Sequence, residues 1–317
     1  MKLAILDKVS FGEDTPVEKL QSFGELITYD STSPEEIIDR VRDVDVIITN
    51  KVKIGEEIMA CAKKLKLICV FATGYDNIDV VAAKKRGIGV CNVPAYSVES
   101  VTLFTVSTAL ALYSKLFEYR QFVTSGEYSK SAVPNRLIPV YHELRGRKWG
   151  IVGCGNIGRA VAKVAQSFGM EVLVYTRTPN PNYNCVDIET LCKESDIISL
   201  HCPLNDKTRS LIGEKEIDVM KKDVVLVNEA RGAVVNEHAV AMAILNGRIG
   251  AFGCDVYSIE PFDQSHPYNK IMNLSNVILT PHAAWGAYEA RVRCVDIITE
   301  NITSFFNGEV KNRVDLE

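Results

Sequence analysis

The chain has 317 residues, of which 47% are hydrophobic and 24% charged, the composition of a globular protein of about two domains. Its formal net charge is −4 and no basic block occurs, which argues against nucleic acid or an anionic membrane as a partner. The nine cysteines form no CxxC pair, which argues against a disulfide framework or a metal site and indicates a reducing, cytoplasmic location. The sequence contains no apolar run of about 18 residues, so no membrane span is predicted.

Short apolar runs alternate with helical patterns through the first part of the chain. Three buried strands are predicted there, at residues 3–6, 45–49 and 67–72. Ser33, followed by Pro34 and two acids, predicts a helix start with Ser33 as the cap. A long apolar helical pattern then runs over residues 97–119, a candidate interface helix, and residues 125–142 are predicted to form a loop.

A second series of β-α units begins near Lys148. Six strands are predicted in it, at residues 149–152, 172–175, 197–200, 224–227, 249–253 and 277–279. A final helical pattern covers residues 288–306. Repeated β-α units predict an α/β fold with parallel sheets covered by helices, and six strands with crossovers match a complete dinucleotide-binding sheet.

The segment Gly153-Cys154-Gly155-Asn156-Ile157-Gly158 joins a predicted strand directly to a predicted helix. In a GxGxxG loop the first glycine allows a tight turn and the second a close pyrophosphate approach. The third glycine lets the helix pack closely on the strand. The free N–H groups of the helix start attract phosphate. An ordinary tight β-α turn is the alternative, but the strand–loop–helix context favours a nicotinamide dinucleotide as the ligand.

The tip of the following strand distinguishes between the two nicotinamide dinucleotides. An acid there would bind the ribose 2′-hydroxyl of NAD(H) and repel the 2′-phosphate of NADP(H). The chain has Thr176 and Arg177 instead, a hydroxyl and a planar cation that suit a phosphate. NADP(H) is therefore favoured, and NAD(H) is the alternative if Arg177 points into solvent.

Polar segments follow three of the predicted strands, where open α/β sheets place their sites. These segments contain Arg231, Glu260 and His282. Arg231 could bind a carboxylate and a carbonyl oxygen with its fork of donors, and His282 could give that oxygen a proton. Glu260, hydrogen-bonded to the imidazole, would favour its protonated form. The structural alternatives are a strand-capping His282, a turn-forming Glu260 before Pro261, and a surface pair between Arg231 and Glu229.

With these motifs in this order, the chain resembles the D-isomer-specific 2-hydroxyacid dehydrogenases over nearly its whole length. Four further motifs carry the resemblance: Ala72-Thr73-Gly74-Tyr75-Asp76-Asn77-Ile78-Asp79, Asn92-Val93-Pro94-Ala95-Tyr96-Ser97, Leu144-Arg145-Gly146 and His201-Cys202-Pro203-Leu204. The resemblance implies a Rossmann cofactor domain, residues 99–285, inserted in a flavodoxin-like substrate domain of residues 1–98 and 286–317. It also implies a homodimer, with the helical pattern at 97–119 as a plausible interface.

The resemblance implies roles for single residues. Arg231 would orient the substrate, His282 would be the general acid/base, and Glu260 would support His282. The backbone N–H groups of Thr73 and Gly74 would hold the substrate carboxylate. Four further cofactor contacts are implied, namely Asp255 at the nicotinamide amide, Pro203 and Thr208 near the adenosine and pyrophosphate, and Ala230 through its backbone.

Within the family, residues 92–97 and 281–285 are most similar to those of glycerate dehydrogenases, also called hydroxypyruvate reductases. The implied reaction is hydride transfer between a nicotinamide cofactor and a small 2-oxo or D-2-hydroxy acid, with hydroxypyruvate or glyoxylate as the substrate. One departure bears on that substrate, because residues 100–103 are Ser-Val-Thr-Leu where those enzymes usually carry Ala and then Gln or Glu after Ser-Val. A D-lactate dehydrogenase and a dinucleotide-sensing, corepressor-like binding protein are the alternatives. The presence of all three polar residues favours turnover.

Overall fold

The computed structural model describes residues 1–316, which fold as two compact units. One unit comprises Met1–Ser97 together with Gly286–Glu317, and the other comprises Val98–Trp285. The second unit is therefore inserted into the sequence of the first.

A five-stranded parallel sheet forms the centre of the first unit. Its strands are β1 (Lys2–Ile5), β2 (Glu25–Thr28), β3 (Val46–Thr49), β4 (Leu67–Val70) and β5 (Gly89–Cys91). The first three helices are α1 (Ile37–Val41), α2 (Glu56–Cys61) and α3 (Val80–Lys85). The strand order is β2-β1-β3-β4-β5, the flavodoxin-like order. Every residue of β3 and β4 is buried, as expected of parallel strands covered on both faces.

A seven-stranded parallel sheet forms the centre of the second unit. Its strands are β6 (Lys148–Val152), β7 (Glu171–Tyr175), β8 (Asn184–Cys185), β9 (Ile197–Leu200), β10 (Val225–Asn228), β11 (Ala251–Cys254) and β12 (Val277–Leu279). Its helices are α4 (Val98–Tyr113), α5 (Leu116–Thr124), α6 (Asn156–Ser167), α7 (Ile188–Glu194), α8 (Glu214–Val219) and α9 (Glu237–Leu245). The order β8-β7-β6-β9-β10-β11-β12 reverses between β6 and β9, which is the topology of a dinucleotide-binding sheet. The predicted α/β fold with a Rossmann and a flavodoxin-like sheet is confirmed.

The last helix returns to the first unit. This helix, α10 (Tyr288–Phe306), has the bounds that its helical pattern predicted. It packs against β4 and β5 with its buried face, which includes Cys294 and Ile298. Beyond the helix, the N–H of Val314 donates to the carbonyl of Val90 at 2.9 Å. These contacts attach the C-terminal segment to the sheet built from the N-terminal residues.

The apolar pattern at residues 97–119 does not form one helix. Helix α4 ends at Tyr113 and α5 begins at Leu116, with an angle of 62° between them. Lys115 has φ +58°, a left-handed conformation that interrupts the helical hydrogen bonding. The apolar pattern continues across this break, so periodicity alone predicted a single helix. Among residues 1–316 no single helix is long and apolar enough to span a membrane. The bent α4–α5 pair reaches that length and apolar composition only when its two helices are taken together.

Other boundaries also differ from the predicted ones. Helix α1 begins at Ile37, because residues 34–36 form a turn in which Glu36 accepts a hydrogen bond from the Ser33 N–H at 2.9 Å. The second sheet has seven strands where six were predicted. The additional strand, β8, is only two residues long, which is too short for a recognisable pattern. Strands β2 and β5 of the first sheet were missed. Strand β5 has only three residues, and β2, although as long as its neighbours, has no buried residue and so lacks a buried apolar run.

Candidate active site

Strands β10, β11 and β12 are neighbours in the second sheet and run parallel, so their carboxyl ends lie at one edge. The segments that follow these strands carry Arg231, Glu260 and His282 respectively. The strand order thus brings three polar side chains from distant parts of the sequence to one edge of the sheet, where open α/β sheets bind their ligands.

Glu260 and His282 form a hydrogen-bonded pair. The His282 Nδ1 atom lies 2.6 Å from Glu260 Oε2, and the two side chains are 26% and 29% exposed. Glu260 Oε1 accepts a hydrogen bond from the Tyr257 N–H at 2.9 Å, which orients the carboxylate. Because a carboxylate only accepts hydrogen bonds, His282 Nδ1 carries the hydrogen and Nε2 is left to exchange a proton with a substrate. The pair has the arrangement of a general acid/base with an orienting carboxylate.

Asp255 holds the turn that presents His282. Its carboxylate is buried and accepts from the Thr280 hydroxyl at 2.6 Å and from the Ala283 and Ala284 N–H groups, both at 2.8 Å. The His282 N–H donates to the Asp255 carbonyl at 2.9 Å. His282 has φ +55°, a strained conformation that these contacts hold in place. The predicted nicotinamide contact of Asp255 stays a prediction beside this structural role.

Asn228 closes the turn that carries Arg231. Its Oδ1 accepts from the Ala230 N–H at 3.1 Å, and its Nδ2 donates to the Arg231 carbonyl at 3.0 Å. Arg231 is half-buried and its Nη1 donates to the Ala230 carbonyl at 2.8 Å, while Nε and Nη2 make no hydrogen bond within residues 1–316. Two donor groups therefore remain for an anion. The sequence analysis did not identify Asn228, although an asparagine between a strand and a turn often indicates a side chain that hydrogen-bonds the turn backbone.

Gly232 brings the Arg231 turn against the segment that carries Glu260. A Cβ atom at Gly232 would lie 2.0 Å from the carbonyl carbon of Tyr257 and 2.2 Å from the N atom of Ser258. Since backbone atoms cannot move aside cheaply, any side chain at this position would separate the two segments. The close approach accounts for the glycine directly after Arg231.

The glycine loop joins β6 to α6 and has room for a ligand. Gly153 has φ +96°, and a Cβ at Gly158 would lie 2.0 Å from the Gly153 carbonyl oxygen, so both positions require glycine. A Cβ at Gly155 would meet no atom within 4 Å, so this side of the loop is open. The N–H groups of Asn156 and Ile157 make no hydrogen bond within the described part of the chain. An open loop with free donors at a helix start fits the pyrophosphate of a dinucleotide.

Two further predicted cofactor segments follow the strands beside the loop. At the tip of β7, Thr176 is half-buried and Arg177 is exposed, and Arg177 makes no ion pair within residues 1–316. After β9, the Thr208 hydroxyl donates to the Pro203 carbonyl at 2.6 Å and accepts from the Asn205 N–H at 2.8 Å. Thr208 thus shapes the loop that contains Pro203, and the cofactor roles of these residues stay predictions.

His201 lies directly after β9, and its contacts are structural. Its Nε2 lies 2.9 Å from the Ser199 hydroxyl, which also accepts from Trp149 Nε1 at 2.9 Å. Burial lowers the pKa of His201 to about 3, so the ring is neutral at physiological pH. The environment of His201 is therefore that of a structural residue.

Thr73 and Gly74 lie in the first unit, in the segment that follows β4. The Thr73 hydroxyl donates to the Val93 carbonyl at 2.8 Å, and the Thr73 carbonyl accepts from Asn92 Nδ2 at 2.8 Å. The N–H groups of Thr73 and Gly74 donate no hydrogen bond to any of residues 1–316. The segment is therefore anchored through its other atoms and keeps two adjacent donors, as a carboxylate site requires.

Glu229 is a buried carboxyl group that the sequence interpretation had treated only as a possible partner of Arg231. It is 9% exposed, and neither of its oxygens has a hydrogen-bond partner among residues 1–316. The predicted alternative of an Arg231–Glu229 pair is therefore not formed. Burial, reinforced by the nearby Asp255 carboxylate, raises the pKa of Glu229 to about 9. Glu229 is consequently protonated at neutral pH.

We expect the Glu229→Gln variant to be more stable than the wild type at alkaline pH. The unfolded chain releases the Glu229 proton near pH 4.5 and the folded chain near pH 9, so wild-type stability falls between these values as the pH rises. Glutamine has no proton to release, so the difference in Tm should widen across this window. Thermal unfolding of both proteins from pH 5 to pH 9.5 measures it, with Glu214→Gln on the exposed start of α8 as the control. Parallel Tm curves would contradict the prediction.

Comparison with known proteins agrees with this geometry. Residues 106–284 match the family model described as "D-isomer specific 2-hydroxyacid dehydrogenase, NAD binding domain". A hydroxypyruvate reductase of Blautia hydrogenotrophica is 35% identical over 99% of this chain and 100% of its own length. A glyoxylate reductase of Thermococcus litoralis is 40% identical over 86% of this chain and 84% of its own length.

A solved structure extends the similarity to the whole fold. An acyclic imino acid reductase in complex with NADPH and D-Arg superimposes with a TM-score of 0.85 at 30% identity. The match covers 99% of this chain and 100% of that chain. The family model and the full-length relatives confirm the resemblance carried by the sequence motifs. The chain therefore belongs to the D-isomer-specific 2-hydroxyacid dehydrogenases and is a nicotinamide-dependent oxidoreductase that acts on small 2-oxo and 2-hydroxy acids.

Proposed function

We propose that this enzyme reduces hydroxypyruvate or glyoxylate to the corresponding 2-hydroxy acid, with NADPH as the preferred cofactor. The hydrogen-bonded Glu260–His282 pair, at the sheet edge that also carries Arg231, is the observation that supports the reaction. The names of the hydroxypyruvate and glyoxylate reductases among its relatives support the choice of substrate.

Each of the catalytic residues has a distinct role in this proposal. The free donors of Arg231 bind the substrate carboxylate and polarise its carbonyl oxygen. His282 delivers a proton from Nε2 to that oxygen, and Glu260 stabilises the imidazolium through Nδ1. The N–H groups of Thr73 and Gly74 bind the carboxylate as well. A reduced nicotinamide, when bound, supplies the hydride that the substrate carbonyl carbon accepts.

The cofactor residues fall into two sets. The glycine loop, through Gly153, Gly155, Gly158 and the N–H groups of Asn156 and Ile157, holds the pyrophosphate. A second set borders the rest of the dinucleotide, namely Pro203, Thr208, Ala230 and Asp255. We assign residues 99–285 to this cofactor domain and residues 1–98 with 286–317 to the substrate domain.

Arg177 provides the argument for NADP(H). Its exposure does not separate the two cofactors, because a side chain that binds a 2′-phosphate at a strand tip also faces solvent without the ligand. The argument rests on charge: Arg177 is a cation without an ion-pair partner among residues 1–316, at the strand tip where NAD-specific sheets carry an acid, and Thr176 adds a hydroxyl beside it. Replacing Arg177 with Ala should lower kcat/KM for NADPH by about 10- to 100-fold, the value of one or two charge-assisted hydrogen bonds. Steady-state kinetics with both cofactors measures this change. NADH lacks the 2′-phosphate and serves as the internal control, with an expected change of less than about twofold. A wild type that strongly prefers NADH would overturn the assignment.

A panel of 2-oxo acids tests the substrate. We expect higher kcat/KM for hydroxypyruvate or glyoxylate than for pyruvate, measured with both cofactors. A preference for pyruvate would favour the D-lactate dehydrogenase alternative. Failure to reduce any of the three acids would contradict the proposed reaction.

We further propose a homodimer located in the cytoplasm. Helix α5 has no buried residue, although it contains several large apolar side chains. Exposed apolar residues include Leu116 and Val123 on α5, Leu103 on α4, and Leu137, Ile138 and Val140 on the loop after α5. A patch of this kind is typical of a subunit interface, and light scattering of the purified protein measures its oligomeric state.

The nine unpaired cysteines support the proposed cytoplasmic location, because they indicate a reducing compartment.

A further inference from the structure

A buried hydrogen-bonded pair of a histidine and a glutamate lies beside the segment that carries Glu260. His266 Nε2 is 3.1 Å from Glu237 Oε2, and these two side chains are only 6% and 11% exposed. The other ring nitrogen of His266 accepts a hydrogen bond from the Tyr268 N–H at 3.3 Å. Nδ1 is therefore an acceptor and Nε2 must be the donor to Glu237.

Glu237 binds the backbone of the Glu260 segment. Its Oε1 accepts from the Ser258 N–H at 2.8 Å, and its Oε2 accepts from the Ser258 hydroxyl. The preceding amide, that of Tyr257, donates to Glu260 Oε1 at 2.9 Å. Two successive N–H groups are thus bound by two different carboxylates, one from α9 and one from Glu260 itself. The position of Glu260 therefore depends on the position of Glu237.

Aromatic contacts extend this arrangement to the His282 turn. The His266 ring stacks on Phe262 with a centroid distance of 4.7 Å and an interplanar angle of 29°. It also contacts Tyr257 edge-on, at 6.0 Å. The Tyr257 hydroxyl donates to the Thr280 carbonyl at 2.8 Å, two residues before His282. Both members of the Glu260–His282 pair are consequently held by the same cluster.

We propose that Glu237 and His266 are positioning residues for the reaction. They act by holding the Glu260 carboxylate within hydrogen-bonding distance of His282. This inference rests on the proposed function of Glu260 and His282. Glu237 supplies the charged acceptors, and His266 fixes the orientation of the Glu237 carboxylate. Neither residue touches the reacting atoms in this assignment.

Glu237→Gln tests the proposal with little change of shape. The glutamine oxygen can still accept from the Ser258 N–H, but its NH₂ group then faces the His266 Nε2–H and the Ser258 hydroxyl. We expect kcat for 2-oxo acid reduction to fall about tenfold, because small displacements of catalytic groups are costly. The cofactor Kd should not change, and the alkaline fall in kcat should begin at lower pH, because Glu260 no longer favours the imidazolium.

Glu216→Gln is the matched control. Glu216 also accepts a backbone N–H, that of Gly213 at 3.0 Å, but has no connection to the Glu260 segment. We expect its kcat and pH profile to match those of the wild type. A Glu237→Gln enzyme with wild-type kcat and pH profile, or with changes equal to those of Glu216→Gln, would overturn the proposal.

A double-mutant comparison separates positioning from general destabilisation. In a Glu260→Gln background, Glu237→Gln should change kcat by less than about twofold, because its effect passes through Glu260. Additive losses would overturn the positioning role. If Glu237→Gln does not fold, His266→Gln is measured in the same way, with the same expectations. A His282→Ala enzyme of wild-type kcat would instead contradict the proposed function itself, so the two failures are distinguishable.

Discussion

Replacement of His282 with Ala is expected to lower kcat for 2-oxo acid reduction by about 10²- to 10⁴-fold, the usual contribution of a positioned general acid. The structure holds the His282 Nδ1 atom 2.6 Å from Glu260 and leaves Nε2 for the substrate oxygen. Alanine removes that proton donor while Asp255 still holds the surrounding turn through the Ala283 and Ala284 N–H groups. Cofactor affinity should therefore stay within about twofold of the wild type. Steady-state kinetics of reduction and fluorescence titration with NADPH measure the two quantities.

His238→Ala is the control for this substitution. His238 is an exposed histidine on α9 of the same unit, so its loss should leave kcat unchanged. Glu260→Gln should lower kcat less than His282→Ala, and the double variant should be no worse than His282→Ala alone, because Glu260 acts through the imidazole. A His282→Ala enzyme with wild-type kcat would remove His282 from the proposed role.

Replacement of Arg231 with Lys is expected to lower kcat/KM for the 2-oxo acid by about 10²-fold or more, although the positive charge is kept. One Arg231 nitrogen already donates to the Ala230 carbonyl at 2.8 Å, which orients the guanidinium and leaves Nε and Nη2 for the substrate. A lysine ammonium is a single point of charge and does not reproduce two parallel hydrogen bonds, each worth about 1.5–3 kcal/mol to a charged partner. Steady-state kinetics measures the loss, and the cofactor Kd should not change.

Arg248→Lys is the matched control for Arg231→Lys. Arg248 is also half-buried and donates to a backbone carbonyl, that of Asp218, but it lies after α9 and away from the carboxyl edge of the sheet. We expect kcat/KM close to that of the wild type. Equal kcat/KM in the Arg231→Lys enzyme and the wild type would contradict the proposal that two Arg231 donors bind the substrate.

Features that depend on a few neighbouring residues were predictable from the sequence. The glycine loop, the strand before it and the helix after it are local in sequence. Two of its glycines, Gly153 and Gly158, occupy positions where the structure leaves no room for a side chain. The helix at 288–306 followed in the same way from its own periodicity. The break at Lys115 did not, because a left-handed residue inside an apolar pattern has no signature in hydrophobic spacing.

The supporting contacts of the candidate site depended on long-range pairing. Glu237 and His266 are 29 positions apart, and each looked like an ordinary polar residue in its own segment. Glu229 is buried without a hydrogen-bond partner among residues 1–316, whereas the adjacent Asn228 bonds locally, to Ala230 and Arg231 in its own turn. No local pattern shows the burial of Glu229, because that burial depends on which segments pack against its side chain.

The class of fold, the dinucleotide loop and the candidates Arg231, Glu260 and His282 could be inferred from the amino-acid sequence, because β-α periodicity and polar residues at strand ends involve consecutive positions. The three-dimensional structure was needed to show that β10, β11 and β12 are neighbours and that Glu260 faces His282 Nδ1. Strand order depends on contacts between segments that are far apart in the chain. The tertiary packing also leaves Glu229 in a buried site where its carboxyl group retains a proton.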